Sequence, residues 1–144
     1  MAGDIPLATP RMAAIRLGPD EDPFTALRDL QARTGARAMA MVTCVGSLTR
    51  AMIRHADRPE AREYLGRYEI TSLVGTIDPL SAHLHLGIAD GAGRAFGGHL
   101  MAGSRVYTTA EIVVAILDGL AFSRAPCPRS GYDELVVRRD PGRS

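Results

Sequence analysis

The sequence predicts an α+β domain, a mostly antiparallel sheet of about seven strands with two main flanking helices. Short runs rich in β-branched residues follow one another through glycine-bearing turns, as in RYEITSLVGTID and HLHLGIAD. Only two segments carry a helical period with end signals. The chain of 144 residues is the size of one domain, and at that length roughly two thirds of the unfolded surface can be buried.

Taken in order, the first ten residues contain an early acid and two prolines and are expected to be flexible. RMAAIRLG, bounded by Gly18, reads as a first strand. Asp22 followed by Pro23 is an N-cap with proline at the first helical position; Phe24, Leu27 and Leu30 form an apolar stripe, and Gly35 is the stop. The expectation is an amphipathic helix over 23–34. ARAMAMVTCVGS, residues 36–47, is a short apolar run consistent with a buried strand, TRAMIRHA alternates less cleanly, and DRPEAREYLG reads as a loop or short helical turn.

RYEITSLVGTID (67–78) is the next strand, and HLHLGIAD with RAFGGHLMAGSRVY forms a β-hairpin. Thr108 and Glu111 make a capping box, and Ile112, Val113, Ile116 and Leu120 continue on a helical period, so a second helix is expected near 109–119. After the loop SRAPCPRSG, YDELVVRR is the last strand. One domain is expected over 11–138, with a polar tail at 139–144.

Charge narrows the possible partners. The 17 basic residues, all arginine, nearly balance 16 acidic ones, so the molecule lacks the global positive field that draws proteins to phosphate backbones. DNA binding would need a local patch and is the less favoured reading. With no lysine there is no lysine Schiff base. Cys44 and Cys127 stand far apart without a C-x-x-C spacing, which fits a reducing cytoplasm. No apolar run approaches membrane-spanning length, so a cytoplasmic protein without a membrane partner is expected.

Three of the 4 histidines fall within SAHLHLGIADGAGRAFGGHL. Strand residues two apart share a face about 6.7 Å apart, which sets His83 beside His85. His99 joins them on that face only if paired residue numbers sum to an even value, such as the 184 that sets His85 opposite His99, as directly opposite residues share a face. That register leaves Gly91, Ala92 and Gly93 as a three-residue loop, with glycine where such loops want a left-handed residue. Three neutral imidazoles with an open fourth position are a usual arrangement for catalytic zinc, although other transition metals also take imidazole. Gly97 and Gly98 are expected to leave room for metal or substrate. Ordinary polar residues on a solvated strand face give the same H-x-H pattern.

Other chemistry is thinner. Gly91 and Gly93 do not complete a phosphate-binding G-x-G-x-x-G, since Phe96 occupies the last position. Ser47 lacks the G-x-S-x-G elbow, Cys44 reads as a core thiol, and Met39 and Met41 as core packing. Glu69 and Arg50 are candidate catalytic residues, a carboxylate and a cation near a ligand site; an ordinary ion pair or solvated strand residue is the plainer account of each.

VTCVGSLTRAMIRHA, GRYEITSLVGTI, HLHLGIAD with GAGRAFGGHLMAG, TTAEIVVAIL and SGYDELVV occur in an order that resembles the PPC domain, the plant and prokaryote conserved domain, from about Arg11 to Val137. The resemblance implies an antiparallel α+β domain assembling as a homotrimer. In plants the domain accompanies AT-hook motifs that grip DNA; this chain has no Arg-Gly-Arg-Pro core, so that function does not carry over. The chain is more similar to prokaryotic single-domain members, some of which look metal-bearing through histidines matching His83, His85 and His99. A more distant likeness to acetolactate decarboxylase, a zinc enzyme with an H-x-H and a later histidine, covers little beyond this hairpin.

The resulting expectation is a homotrimeric protein with a three-histidine zinc site. If it is an enzyme, a lyase-type reaction on a small oxo or hydroxy acid is expected, with Glu69 moving the proton and Arg50 holding a carboxylate. The rival is a non-catalytic module that binds DNA or protein.

Overall fold

The computed structural model describes residues 5–140 and 142. Among them the chain forms eight strands and one α-helix in the order β1 (Pro10–Leu17), α1 (Pro23–Thr34), β2 (Met39–Arg54), β3 (Arg62–Ile77), β4 (Ala82–Ala89), β5 (Ala95–Leu100), β6 (Arg105–Leu117), β7 (Leu120–Pro126) and β8 (Asp133–Arg139). Of the terminal segments expected to be flexible or polar, residues 1–4, 141, 143 and 144 lie outside the described residues.

Helix α1 starts and stops where its end signals place it. The Asp22 side chain accepts from the Phe24 N–H at 3.1 Å, Pro23 occupies the first turn, and Gly35 follows in the left-handed conformation at φ 61°. Leu27 is fully buried and Phe24 and Leu30 pack beside it. Asp22 also accepts from the Gly103 N–H at 2.8 Å, which pins the helix start to the turn between β5 and β6.

The second expected helix is a strand. Residues 105–117 form β6, paired with β1 along one edge and β2 along the other. Val106, Ala110, Ile112, Val114 and Ile116 are buried, a two-residue period that the coincidental helical spacing of Ile112, Val113 and Ile116 had masked. β-branched side chains crowd a helix and suit a pleated surface, and here two neighbouring strands complete the ladder. Thr108 does not cap a helix: its hydroxyl lies 2.8 Å from the Ser47 hydroxyl across the β2–β6 pair.

Strands β2 and β3 are also longer than their sequence pattern implies. β2 runs through TRAMIR without interruption, and β3 begins at Arg62, inside the stretch read as a loop or helical turn. Register shifts in β2 near Met41, Gly46 and Leu48 break its alternation, which is why the pattern faded. Strand β7 likewise takes up SRAP from the expected loop and pairs with β8 in a separate two-stranded sheet.

The main sheet has the order β1-β6-β2-β3-β4-β5, and its last strand returns to β2 through Ile53↔Leu100 and Arg54↔His99. Strands β2, β3, β4 and β5 therefore close on themselves. Ile53, Ile70, Leu73, Leu84, Leu86, Ile88 and Leu100 fill the inside, and residues of opposite parity, including His83 and His85, face outward. The strands approach closely: a Cβ on Gly75 would sit 2.0 Å from the His83 carbonyl oxygen. No helix of the described residues is long and apolar enough to cross a membrane.

Candidate metal centre

The β4–β5 hairpin sets the site. Its pairs run from His85↔His99 to Ala89↔Ala95, the Asp90 N–H bonds the Arg94 carbonyl at 3.0 Å, and Gly91, Ala92 and Gly93 form the loop. Gly93 has φ 78°, the left-handed conformation the three-residue loop requires. Asp90 adds side-chain acceptors for the Ala92 and Arg94 N–H groups, locking the turn and with it the register.

The outcome is one cluster. Ligand nitrogens of His83, His85 and His99 all lie within 4.8 Å of one another. The Nε2 atoms of His83 and His85 are 3.1 Å apart; the rings of His83 and His99 stack at 5.0 Å, and His85 meets His99 edge-on at 4.5 Å. Two neutral imidazole nitrogens at that distance repel unless a proton or cation sits between them. Tetrahedral zinc with Zn–N of about 2.0–2.1 Å holds its donors roughly 3.3 Å apart, so the closest pair already has ligand spacing. The donor set of three imidazoles fits a borderline-soft divalent metal.

The electrostatics favour the ligating form. His83 and His99 are held below the ordinary imidazole value, in both cases first by burial. Next come neighbouring charges: His85, Arg124 and Arg54 act on His83 against an opposing Glu134, and Arg54, His85 and His83 act on His99. Each influence except that of Glu134 disfavours the imidazolium and leaves a lone pair free at neutral pH.

The two arginines beside the histidines were not singled out from sequence. Arg54 is the direct partner of His99, a pairing that exists only because β5 closes onto the end of β2. Arg124 reaches in from β7, where its guanidinium lies 3.5 Å from the Asp78 carboxylate and donates to the Thr76 hydroxyl at 3.1 Å. Both depend on strand pairings that local periodicity does not encode.

Arg50 and Glu69 lie apart from the cluster. Arg50 Nε is 2.5 Å from Glu63 Oε1, a close ion pair without hydrogen-bond alignment, and its strand partners are Leu65 and Arg105. Glu69 is exposed opposite Ser47 and Ala89, and Ala89 is four residues, about 13 Å, along β4 from His85. Gly97 and Gly98 do not serve to admit a metal or substrate. A Cβ would meet the Leu86 carbonyl oxygen at 2.2 Å from Gly97 and the Arg54 carbonyl oxygen at 2.7 Å from Gly98, so their role is to let neighbouring strands approach.

His55 and Cys44 are structural. His55 Nδ1 donates to the Gly97 carbonyl at 3.0 Å while its Nε2 accepts from the Tyr64 hydroxyl at 2.6 Å, using both ring nitrogens away from the cluster. Burial pushes the Cys44 thiol up to about 11, an inert core group, and Cys127 is likewise free of a disulfide.

Residues 7–118 match the model of the Plants and Prokaryotes Conserved (PCC) domain. The chain belongs to this family. A hypothetical protein from Salmonella cholerae-suis superposes with a TM-score of 0.91 at 39% identity, covering 93% of this chain and 97% of that one. A metal-containing protein from Archaeoglobus fulgidus shares the fold, with a TM-score of 0.74 at 22% identity over 92% of this chain and 99% of its own. Among curated proteins, the bifunctional protein GlmU of a Synechococcus strain, JA-3-3Ab, is 39% identical over 135 residues, 94% of this chain. The PCC chain spans only 22% of that relative's length.

Proposed function

We propose that this PCC-domain protein holds a divalent transition metal, zinc foremost, on His83, His85 and His99. The convergence of the three ligand nitrogens within 4.8 Å carries the reading. The metal-containing description of the Archaeoglobus fulgidus fold relative supports it. When bound, the metal would supply Lewis-acid polarisation of a carbonyl or hydroxyl oxygen on a small oxo or hydroxy acid.

The protein's own groups would do the rest. The three imidazoles supply neutral donors, leaving the cation's charge for the ligand. Glu69, exposed on β3, is the proposed proton carrier and Arg50 a proposed carboxylate contact, each acting where a further copy of the chain brings it close to a cluster. We place the working unit as a homotrimer, assembled through the outward sheet face on which Val42 and Val45 are more than half exposed. Free Cys44 and Cys127 suit a reducing cytoplasm.

Elemental analysis of protein prepared without an affinity tag or chelator tests the assignment. Near-stoichiometric metal is expected, and His85→Ala should lose it while the fold persists. Full metal content in that variant would overturn imidazole ligation at this site.

A further inference from the structure

We infer that Arg54 makes this centre selective for a small carboxylate, with one carboxylate oxygen directed to the metal and the other to the guanidinium. The inference rests on the metal reading above and names its ligand class.

Arg54 and His99 are direct cross-strand partners, and directly opposed residues of an antiparallel pair project from the same face. His99 in turn opposes His85, so guanidinium and imidazoles lie on consecutive strands of one face. The Arg54 guanidinium is lightly engaged. Its one hydrogen bond among the described residues is a 3.4 Å contact to the Arg58 carbonyl, and no carboxylate there pairs with it. Arg124, on the other side of the cluster, is instead committed to Asp78 and Thr76. Of the two cations, Arg54 is the one available to a ligand.

Charge completes the argument. Three neutral donors leave a bound divalent ion uncompensated, Arg54 adds a further positive charge, and the Arg124–Asp78 pair is neutral. Within one chain Glu134 is the acid felt at the cluster, acting on His83, and Glu69 and Arg50 brought by a further copy would together add no net charge. The excess is positive and calls for an anion. A carboxylate matches it one oxygen to each cation, in the planar geometry a guanidinium prefers. A phosphate would bring more oxygens than this face can satisfy, because the strand N–H groups around it are taken up in the ladders on both sides of β4. Val74, directly opposite His85 and 55% exposed, offers an apolar contact for a short carbon chain.

Cobalt(II)-loaded protein tests this through the visible absorption of the metal, titrated with glycolate, with its neutral analogue glycolamide and with inorganic phosphate. Glycolate should perturb the spectrum at lower concentration than either. In Arg54→Gln, cobalt content and circular dichroism should match the parent, while glycolate affinity falls at least tenfold and glycolamide is unaffected. Arg54→Lys should recover part of the loss. Equal glycolate affinity in Arg54→Gln, tighter binding of phosphate, or glycolamide binding as well as glycolate would overturn the inference. Failure of the parent protein to take up cobalt would instead overturn the metal reading beneath it.

Discussion

His85 and His99 oppose each other across β4 and β5 with ring centroids 4.5 Å apart, and the residue that fixes this pairing lies in the hairpin loop at Gly93. The loop length sets the parity of the register, and parity decides whether the third histidine joins the first two or points into the core.

Gly93→Val should therefore weaken the centre without touching it. Nothing lies within 4 Å of the position where its Cβ would be, so the cost is backbone strain at φ 78°, about 1–2 kcal/mol. Cobalt or zinc affinity is expected to fall several-fold with a modest drop in urea midpoint. Isothermal titration and denaturation on the same preparation check both effects.

Gly75→Ala should be far more damaging. The added methyl would lie 2.0 Å from the His83 carbonyl oxygen, at a residue with φ 141°, and both are backbone constraints that no rotamer change relieves. A loss of about 3 kcal/mol is expected from forced separation of β3 and β4, together with loss of metal uptake as His83 moves. Chemical denaturation measures the first and elemental analysis the second.

The contrast between these glycines shows what the sequence exposes and what it hides. The hairpin was legible because its loop is three residues long and carries glycine at the left-handed position, so local chemistry fixed the partner of His85. Helix α1 was legible for the same reason, through Asp22, Pro23 and Gly35. Strand β6 was not: TTAEIVVAIL satisfies a helical and a strand period together, and only its pairing with β1 and β2 decides between them. Arg54 was hidden at one remove further, since its neighbour His99 lies 45 residues away in sequence and meets it only when β5 closes onto β2. Local periodicity carries no information about such closure.

The metal-free protein should lose stability on acidification. Burial, followed by nearby charges, holds His83 and His99 in the folded chain below the ordinary imidazole value, so the unfolded chain binds protons more readily. Their contribution is present in full above about pH 6.5 and is lost as the pH falls through their folded values. Urea midpoints of chelator-treated protein should decline from pH 7.5 to 5, and the decline should be shallower in His83→Gln/His99→Gln. The loaded protein should release metal below about pH 6, because protons then compete for the ligand lone pairs.

Asp78→Asn tests how the cluster is held from behind. The Asp78 carboxylate is 2% exposed, accepts the Leu80 and Ser81 N–H groups at 2.8 and 2.7 Å, and pairs with Arg124. It thus builds the turn that launches β4 at Ala82 and fixes the cation beside His83. Arg28 braces the same turn from α1, donating to the Asp78 and Ser81 carbonyls at 2.6 and 3.0 Å. The amide keeps the shape but leaves Arg124 without its counter-charge, at an expected cost of about 2–3 kcal/mol. Arg124→Gln alone should cost less, since that side chain is nearer solvent. The double variant should fall short of the sum of the two by about 1 kcal/mol or more, the coupling expected of a partly buried pair. Strict additivity in urea denaturation would show that Asp78 acts on the turn alone and does not hold Arg124 at the histidine cluster.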